Sequence, residues 1–325
     1  MAPSVNIGII GCGEMGQIHA RCIKEIGTAT ILGLCDTEDT RARNLLTFFP
    51  DAYVCSDPEH ILRDDSIDAV YVCTHNDSHA QLGITAAKAG KHVVMEKPVA
   101  MSLRECDELL NAVEQSGIRF MTAFKLRFYP SVQRVREFIP SPLLCIAQMT
   151  DERWPDSFWG NDPARGGGNV LSQGCHAADL LCHLLGSEPV TVFATGGNYH
   201  HPGLDITDAL AASVAFSSGA IGSLVVGDVG LTPFVSKLSF QVMDGSRSAH
   251  LYDRLKQVSL WNGKHEQHYS ESEEFGFLQE NKEFLEIIRG KVQPSATVRH
   301  GIRATVLLLR AIESMKTGRP QSVQF

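Results

Sequence analysis

The residues best placed to do chemistry are a set of glycines followed by an acid, and a lysine fixed before a proline. Gly11-Cys12-Gly13-Glu14-Met15-Gly16 has the G-x-G-x-x-G form, between an apolar run and an amphipathic stretch. In that context Gly11 allows a sharp turn, Gly13 lets a pyrophosphate approach the backbone, and Gly16 lets a helix press on a strand. The free N–H groups and positive dipole end of that helix, with Cys12, Glu14 and Met15 beside the glycines, then face phosphate. A second apolar run ends in Asp36. An acid about twenty residues beyond the loop is placed to bond the adenosine ribose hydroxyls. Its charge suits the free diol of NAD and repels a 2′-phosphate. Thr37 rather than Arg follows it, although Arg41 and Arg43 lie close by. NAD is therefore expected, in preference to NADP.

Glu96-Lys97-Pro98 ends another apolar run. Pro98 restricts Lys97 to extended backbone angles. The bond between them is expected to be trans unless tertiary contacts impose otherwise. A lysine here serves either a functional strand-end loop or a plain surface turn. Thr74-His75-Asn76-Asp77-Ser78-His79 follows a further apolar run. The carboxyl end of a parallel strand is where doubly wound sheets hold ligands, so Thr74, His75, Asn76, His79, Glu96 and Lys97 join the candidate cofactor contacts. His176, in Gly174-Cys175-His176-Ala177-Ala178-Asp179, suits a satisfied histidine on a buried helix as well as a proton acceptor. Cys175-His176 and Cys182-His183 have no zinc spacing, and no metal is expected.

The elements that must position these residues alternate in the first part of the chain. Strands are expected at Val5–Ile10, Ala29–Cys35, Tyr53-Val54, Ala69–Cys73, His92–Met95 and Ile118–Thr122. Helices are expected over Thr40–Phe49, from Asp57 as cap with Pro58 first, over Asp77–Ala89, and from Ser102 to about Gly117. Such alternation means a parallel, doubly wound α/β sheet, a Rossmann domain over residues 1–123. Residues 124–325 read as a second, α+β domain. It opens with a helix at Pro130–Ile139 and a strand at Leu143–Asp151. Gly166-Gly167-Gly168 leads into one helix from about Asn169 to Leu185. Strands at Val190–Thr195, Ala209–Phe216, Ala220–Val226, Lys237–Met243, Ser248–Tyr252 and Val258–Trp261 are separated by pairs such as Ser218-Gly219, Asp244-Gly245 and Asn262-Gly263, the pattern of a mainly antiparallel open sheet. Helices near Phe275–Arg289 and Arg299–Lys316 cover it.

Length permits two domains: the chain has 325 residues and a formal net charge of −8. No basic block points to nucleic acid, no apolar run is long enough to span a bilayer, and the first residues lack signal-peptide character. A cytoplasmic location is the expectation. The nine scattered cysteines, without a C-x-x-C, read as buried free thiols.

The glycine loop with His19, the Glu96-Lys97-Pro98 motif, and Gly166-Gly167-Gly168 followed by Gly174-Cys175-His176-Ala177-Ala178-Asp179 resemble the glucose–fructose oxidoreductase / inositol 2-dehydrogenase / rhizopine-catabolism (Gfo/Idh/MocA) family. The resemblance runs through essentially the whole chain, including Gly90-Lys91-His92-Val93 and Arg127-Phe128-Tyr129-Pro130. It implies an NAD(P)-dependent dehydrogenase of a sugar, sugar derivative or cyclitol, and a homodimer or homotetramer formed through the second sheet. It also implies that Lys97 and His176 are the catalytic pair. Oxidising a secondary alcohol requires a group that takes the hydroxyl proton, which histidine does near neutrality. It also requires a cation beside the oxygen, which lysine supplies. Arg127, Trp154, Asp156, Ser172 and Gln173 match regions that line the substrate pocket in relatives, although Trp154 and Arg127 equally suit an interface. Trp159 and Arg165 suit either role. Ser172 stands where many members have Asp; it cannot accept a proton at neutral pH, so a carboxylate-assisted relay is not expected. Asp179 is expected to be structural. The pair His200-His201, in a Gly/Pro loop, is expected to be solvated. Two other functions fit the same residues: an NAD-retaining enzyme that cleaves glycosides by transient oxidation, and a non-catalytic cofactor-sensing regulator.

Overall fold

A computed structural model describes residues 4–231, 236–271 and 276–325 of the chain. By compactness it divides into two units. The first comprises residues 1–100, 104–125 and 276–302; the second comprises 101–103, 126–275 and 303–325.

The first unit is built on six strands. These are β1 (Val5–Ile10), β2 (Ala29–Cys35), β3 (Tyr53–Cys55), β4 (Ala69–Val72), β5 (His92–Met95) and β6 (Phe120–Thr122). Helices α1 (Glu14–Ile26), α2 (Asp39–Leu45), α3 (Glu59–Leu62), α4 (Asn76–Lys88) and α5 (Leu103–Ser116) connect them. The strand order is β3-β2-β1-β4-β5-β6 and every pairing is parallel. The order reverses between β1 and β4, which makes the edge beyond their carboxyl ends a ligand position. Ile7, Ile9, Ala69, Val70, Tyr71, Val93 and Val94 are buried, as strands covered on both faces require. Helix α2 ends at Leu45, short of the expected Phe49. Helix α3 begins at Glu59, with Pro58 rather than the expected Asp57 as its cap residue; Asp57 Oδ1 accepts from the Glu59 N–H at 3.0 Å just ahead of it.

The second unit has α6 (Pro130–Phe138), β7 (Leu144–Thr150), α7 (Gly168–Ser172) and α8 (Gly174–Leu185). Strands β8 (Pro189–Gly197), β9 (Ala209–Phe216), β10 (Ile221–Gly227), β11 (Leu238–Met243), β12 (Ser248–Tyr252), β13 (Gln257–Trp261) and β14 (Glu266–Ser270) follow. After α9 (Phe277–Ile288) and α10 (Val298–Thr317), β15 (Gln321–Ser322) joins the sheet edge. The nine strands lie in the order β14-β13-β12-β11-β7-β10-β9-β8-β15. All pairs are antiparallel except β7 with β10, so the sheet is mixed.

The single helix expected over 169–185 is two helices broken at Gln173, the cap residue of α8. Strands β14 and β15 were not expected; Glu266–Ser270 is polar on both faces and gives no alternating signal. The start of the expected helix at Phe275 lies outside the described residues. The larger correction concerns the division of the chain. Residues 276–302 belong to the first unit, not to one continuous 124–325 domain. Helix α9 packs on α1 and buries Phe284 against the ring of Tyr71, centroids 5.6 Å apart. Apolar spacing fixes a buried face but not the surface it meets, so this return is absent from local pattern.

Candidate functional site

In the first unit, β1 ends where the expected glycine loop begins. Gly11 has φ +93°, and a Cβ there would lie 2.5 Å from the Cys73 carbonyl oxygen. A Cβ on Gly16 would lie 2.1 Å from the Gly11 oxygen, whereas one on Gly13 would meet nothing within 4 Å. The loop is thus tight where the fold needs it and open where a pyrophosphate would rest. Gly13 caps α1, whose first-turn N–H groups at Glu14, Met15 and Gly16 have no partner earlier in the helix. Cys12 is fully buried and its N–H donates to Asp36 Oδ2 at 2.7 Å. Burial, with the Asp36 charge beside it, pushes the Cys12 thiol up to about 12. Asp36 Oδ1 accepts from Glu38 N at 2.9 Å. Each carboxylate oxygen retains a further lone pair, so Asp36 still fits a ribose diol. Arg41 is paired with Glu38 at 2.8 Å and Arg43 with Asp39, so both guanidiniums are already engaged by acids. These residues fit a dinucleotide without a 2′-phosphate.

The ends of β4 and β5 bring the next candidates to the same sheet edge. Thr74 Oγ1 lies 2.6 Å from Ser78 Oγ, and His75 caps α4, which starts at Asn76. His79 is 1% exposed; its ring nitrogens lie 2.7 Å from the Pro98 oxygen and 3.1 Å from the Thr74 oxygen. With a backbone carbonyl oxygen beside each ring nitrogen, His79 links two strand-end loops, and its single N–H donates to one of them. The Lys97–Pro98 bond is cis, the exception that tertiary context was needed to impose. Lys97 itself is half-buried.

Glu96 anchors this motif through residues that local reading left unassigned. His19 is fully buried, with Nε2 3.3 Å from Glu96 Oε1, while Asn281 Nδ2 lies 3.0 Å from His19 Nδ1 and donates to the Phe277 oxygen at 2.8 Å. Glu96 Oε2 accepts from the Lys97 N–H at 3.2 Å. Burial pushes the Glu96 carboxyl up, but the His19 bond, the Lys97 charge and the Lys97 N–H outweigh it and bring it to about 2. His19 was visible in the resemblance as a motif residue; Asn281, from a distant part of the chain, was not.

In the second unit, Arg127 is 2% exposed and forks onto Asp179, Nε to Oδ2 at 2.8 Å and Nη2 to Oδ1 at 2.5 Å. This fork engages Nε and Nη2 within the fold and joins the short turn Lys125–Phe128 to α8. Ser172 is buried at the end of α7, and its carbonyl accepts from Cys175 Sγ at 3.2 Å. Gln173 is half-buried at the break, and its carbonyl accepts from the His176 N–H at 3.0 Å. The break therefore places His176 in the first turn of α8, 7% exposed.

Residues 151–160 form the expected polar, aromatic loop. Trp154 meets Phe158 edge-on at 5.0 Å, and Phe158 meets Trp159 at 5.3 Å. Asp156 pairs with Arg153 and also bonds His201. His200 is exposed as expected, but His201 is fully buried. The solvated reading of His201 fails because carboxylates stand on both sides of its ring.

Residues 5–124 match the model of an oxidoreductase family described as an NAD-binding Rossmann fold, and residues 141–241 match the GFO/IDH/MocA C-terminal domain. A myo-inositol 2-dehydrogenase of Thermotoga maritima is 28% identical, over 67% of this chain and 67% of its own length. A 2,7-anhydro-N-acetylneuraminate hydratase of Escherichia coli is 30% identical, over 68% of this chain and 61% of its own length. Among solved structures, levoglucosan dehydrogenase in complex with NADH and levoglucosan matches with a TM-score of 0.90 at 20% identity, covering 99% of this chain and 100% of that one, a likeness of fold.

Proposed function

The chain belongs to the Gfo/Idh/MocA family of oxidoreductases, and on that premise we propose that it is an NAD-dependent dehydrogenase of a sugar, sugar derivative or cyclitol, oxidising a secondary alcohol or reducing the matching ketone. The observation that carries this reading is the sheet edge of the first unit. There the open Gly13, the capped start of α1, Asp36 and the buried support of Glu96-Lys97 all lie beyond carboxyl ends of parallel strands.

Asp36 takes the adenosine ribose hydroxyls, and the first turn of α1 takes the pyrophosphate. Bound nicotinamide supplies the hydride acceptor. Lys97 donates to the substrate hydroxyl oxygen and stabilises its alkoxide character, and His176 takes the proton that leaves that oxygen. In the ketone direction His176 returns it. Trp154, Asp156, Ser172 and Gln173 supply contacts to the remaining hydroxyls. With Ser172 at its position, His176 gains no carboxylate from that side.

A homo-oligomer is part of the same reading. Ile146, Phe193, Ile221 and Val225 lie on one open face of the second sheet, with exposures of 38%, 43%, 54% and 37%. Paired apolar faces of this kind bury well against a second copy. No helix among the described residues is long and apolar enough to cross a membrane; a cytoplasmic location is part of the proposal.

Similarity to a hydratase, an activity without net oxidation, favours one second reading: transient oxidation with the nicotinamide retained, ending in bond cleavage or hydration. Incubation with NAD⁺ and a panel of sugars and polyols, following reduced nicotinamide and products together, separates the two. Net NADH supports the dehydrogenase, and product without net NADH supports the second reading. Tight NAD binding with neither would overturn both in favour of a cofactor-sensing protein. Lys97→Ala is expected to abolish turnover while nucleotide binding survives; unimpaired turnover would sink the assignment.

A further inference from the structure

The first reading leaves His201 without a task, yet it is among the most constrained histidines in the second unit. It is 0% exposed, with Nδ1 2.7 Å from Asp156 Oδ1 and Nε2 2.8 Å from Asp228 Oδ2. A carboxylate oxygen only accepts, and a neutral imidazole carries a single N–H. The neutral ring would satisfy one acid and turn a lone pair on the other. Only the imidazolium donates to both.

The surrounding charges agree with this. Burial works against the cation, and the bonds from Asp156 and Asp228 outweigh it, so the pKa of His201 stands above its ordinary value; Arg153 opposes them. Two further titratable groups stand close to His201. Asp208, itself buried, accepts the His201 backbone N–H at 3.1 Å and the Tyr199 N–H at 2.9 Å. The ring of His200 lies 6.1 Å away.

The bridge also closes a loop of chain. Asp228 Oδ2 accepts from the Trp154 N–H at 3.1 Å, so Asp228 holds residue 154 while His201 holds residue 156. Beyond them, Asn161 Nδ2 donates to the Pro155 oxygen at 3.0 Å, and the turn Trp159–Asn161 packs on α7. Gly160 and Gly166 touch so closely that a Cβ on Gly166 would lie 2.3 Å from Gly160 Cα. Residues 153–160 otherwise lack regular structure apart from that turn. Their conformation depends on a few polar anchors, and His201 connects two of them.

We propose that His201 is a positioning residue: as an imidazolium bridging Asp156 and Asp228 it holds residues 153–160 in the conformation that receives substrate, and loss of its proton or its ring releases that segment. The word substrate rests on the dehydrogenase reading above; the release of the segment does not.

Two of the three tryptophans, Trp154 and Trp159, lie in this segment, and the third, Trp261, sits on β13. In a Trp261→Phe background, intrinsic fluorescence is therefore a direct reporter. The emission is expected to change in one transition on raising the pH from about 5 to 9, with its midpoint above the ordinary histidine range. His201→Gln is expected to remove the transition and show the high-pH spectrum throughout. Asp156→Asn, a change at an exposed partner, is expected to move the midpoint down and keeps the test decisive if His201→Gln fails to fold. An unchanged transition in either variant, or flat emission in the parent protein, overturns the proposal. Once the panel has given a substrate, His201→Gln is expected to raise its KM about tenfold or more, with kcat and the KM for NAD within about threefold. A fall in kcat with substrate KM unchanged would mark a merely structural residue and overturn the positioning role. Failure to find any oxidised substrate bears on the dehydrogenase reading alone, because the fluorescence transition does not depend on it.

Discussion

Asp36 and Glu280 show how differently burial treats two carboxyl groups of one unit. Asp36 accepts from Cys12 and Glu38 N–H groups while keeping a place for ribose hydroxyls. A charge-assisted hydrogen bond contributes about 1.5–3 kcal/mol, so Asp36→Ala should raise the KM for NAD by about ten- to hundredfold and narrow the preference over NADP. The ratio of kcat/KM for the two cofactors measures this directly, and an unchanged ratio would contradict Asp36 as the ribose acid. Glu280 on α9 is fully buried, and neither of its carboxyl oxygens has a hydrogen-bond partner among the described residues. Burial first, and the Glu96 charge second, hold its pKa well above the ordinary 4.5. The folded chain therefore keeps a proton that the unfolded chain loses, and Glu280 costs stability progressively as pH rises above that ordinary value. Glu280→Gln should be more stable than the parent at alkaline pH, by about 1–3 kcal/mol, with the advantage shrinking toward acid. Urea denaturation across pH measures it; a constant difference would contradict the assignment. Glu96 behaves in the opposite sense, since its value of about 2 stabilises the fold above the ordinary range and is lost as pH falls toward it. None of this could be read from residue type, since the same side chain is held charged at 96 by His19 and the adjacent Lys97 and driven toward neutrality at 280 first by burial.

Elements were legible where their chemistry is local. The glycine loop, Asp36 and Lys97 fall at strand ends because apolar runs, glycines and a proline mark those ends in sequence. The break at Gln173 was not legible, because Asn169–Leu185 is apolar enough to read as one buried helix. The pairing of Arg127 was not legible for a related reason: a polar residue near a motif looks available until its partner is known. That partner is Asp179, and the buried fork joins the turn after β6 to α8, the helix that carries His176. Removing one member leaves an uncompensated buried charge, so Arg127→Ala should cost about 3–5 kcal/mol in unfolding free energy. Replacing both members with apolar residues of similar volume, Arg127→Met with Asp179→Leu, should recover most of that loss. If the single and double variants unfold alike, the pair is not what joins these elements. The His19–Glu96–Asn281 set marks the same boundary of legibility, since its first two members lie in recognisable motifs and its third enters from α9.

At the scale of the whole molecule, the open face of the nine-stranded sheet carries the expectation of self-association. Phe193 and Ile221 stand on that face. Replacing both with Glu puts like charges in opposition across any symmetric pairing of that face. Light scattering at micromolar concentration should give an oligomer for the parent and a smaller species for the double variant. A parent monomer, or an oligomer unmoved by the variant, would place self-association elsewhere or exclude it. The two-unit plan was legible from the change of periodicity near residue 124, whereas the return of residues 276–302 to the first unit was not. That return has a consequence for biosynthesis. Chains emerge from the ribosome from their N-terminus, at about 5–20 residues per second. The nucleotide-binding unit of this protein begins first but cannot be finished until α9 has been translated, after the whole nine-stranded sheet except its short last strand. During that interval Tyr71 and His19 lack the helix that covers them, and the first unit to be started is completed by nearly the last part of the message to be read.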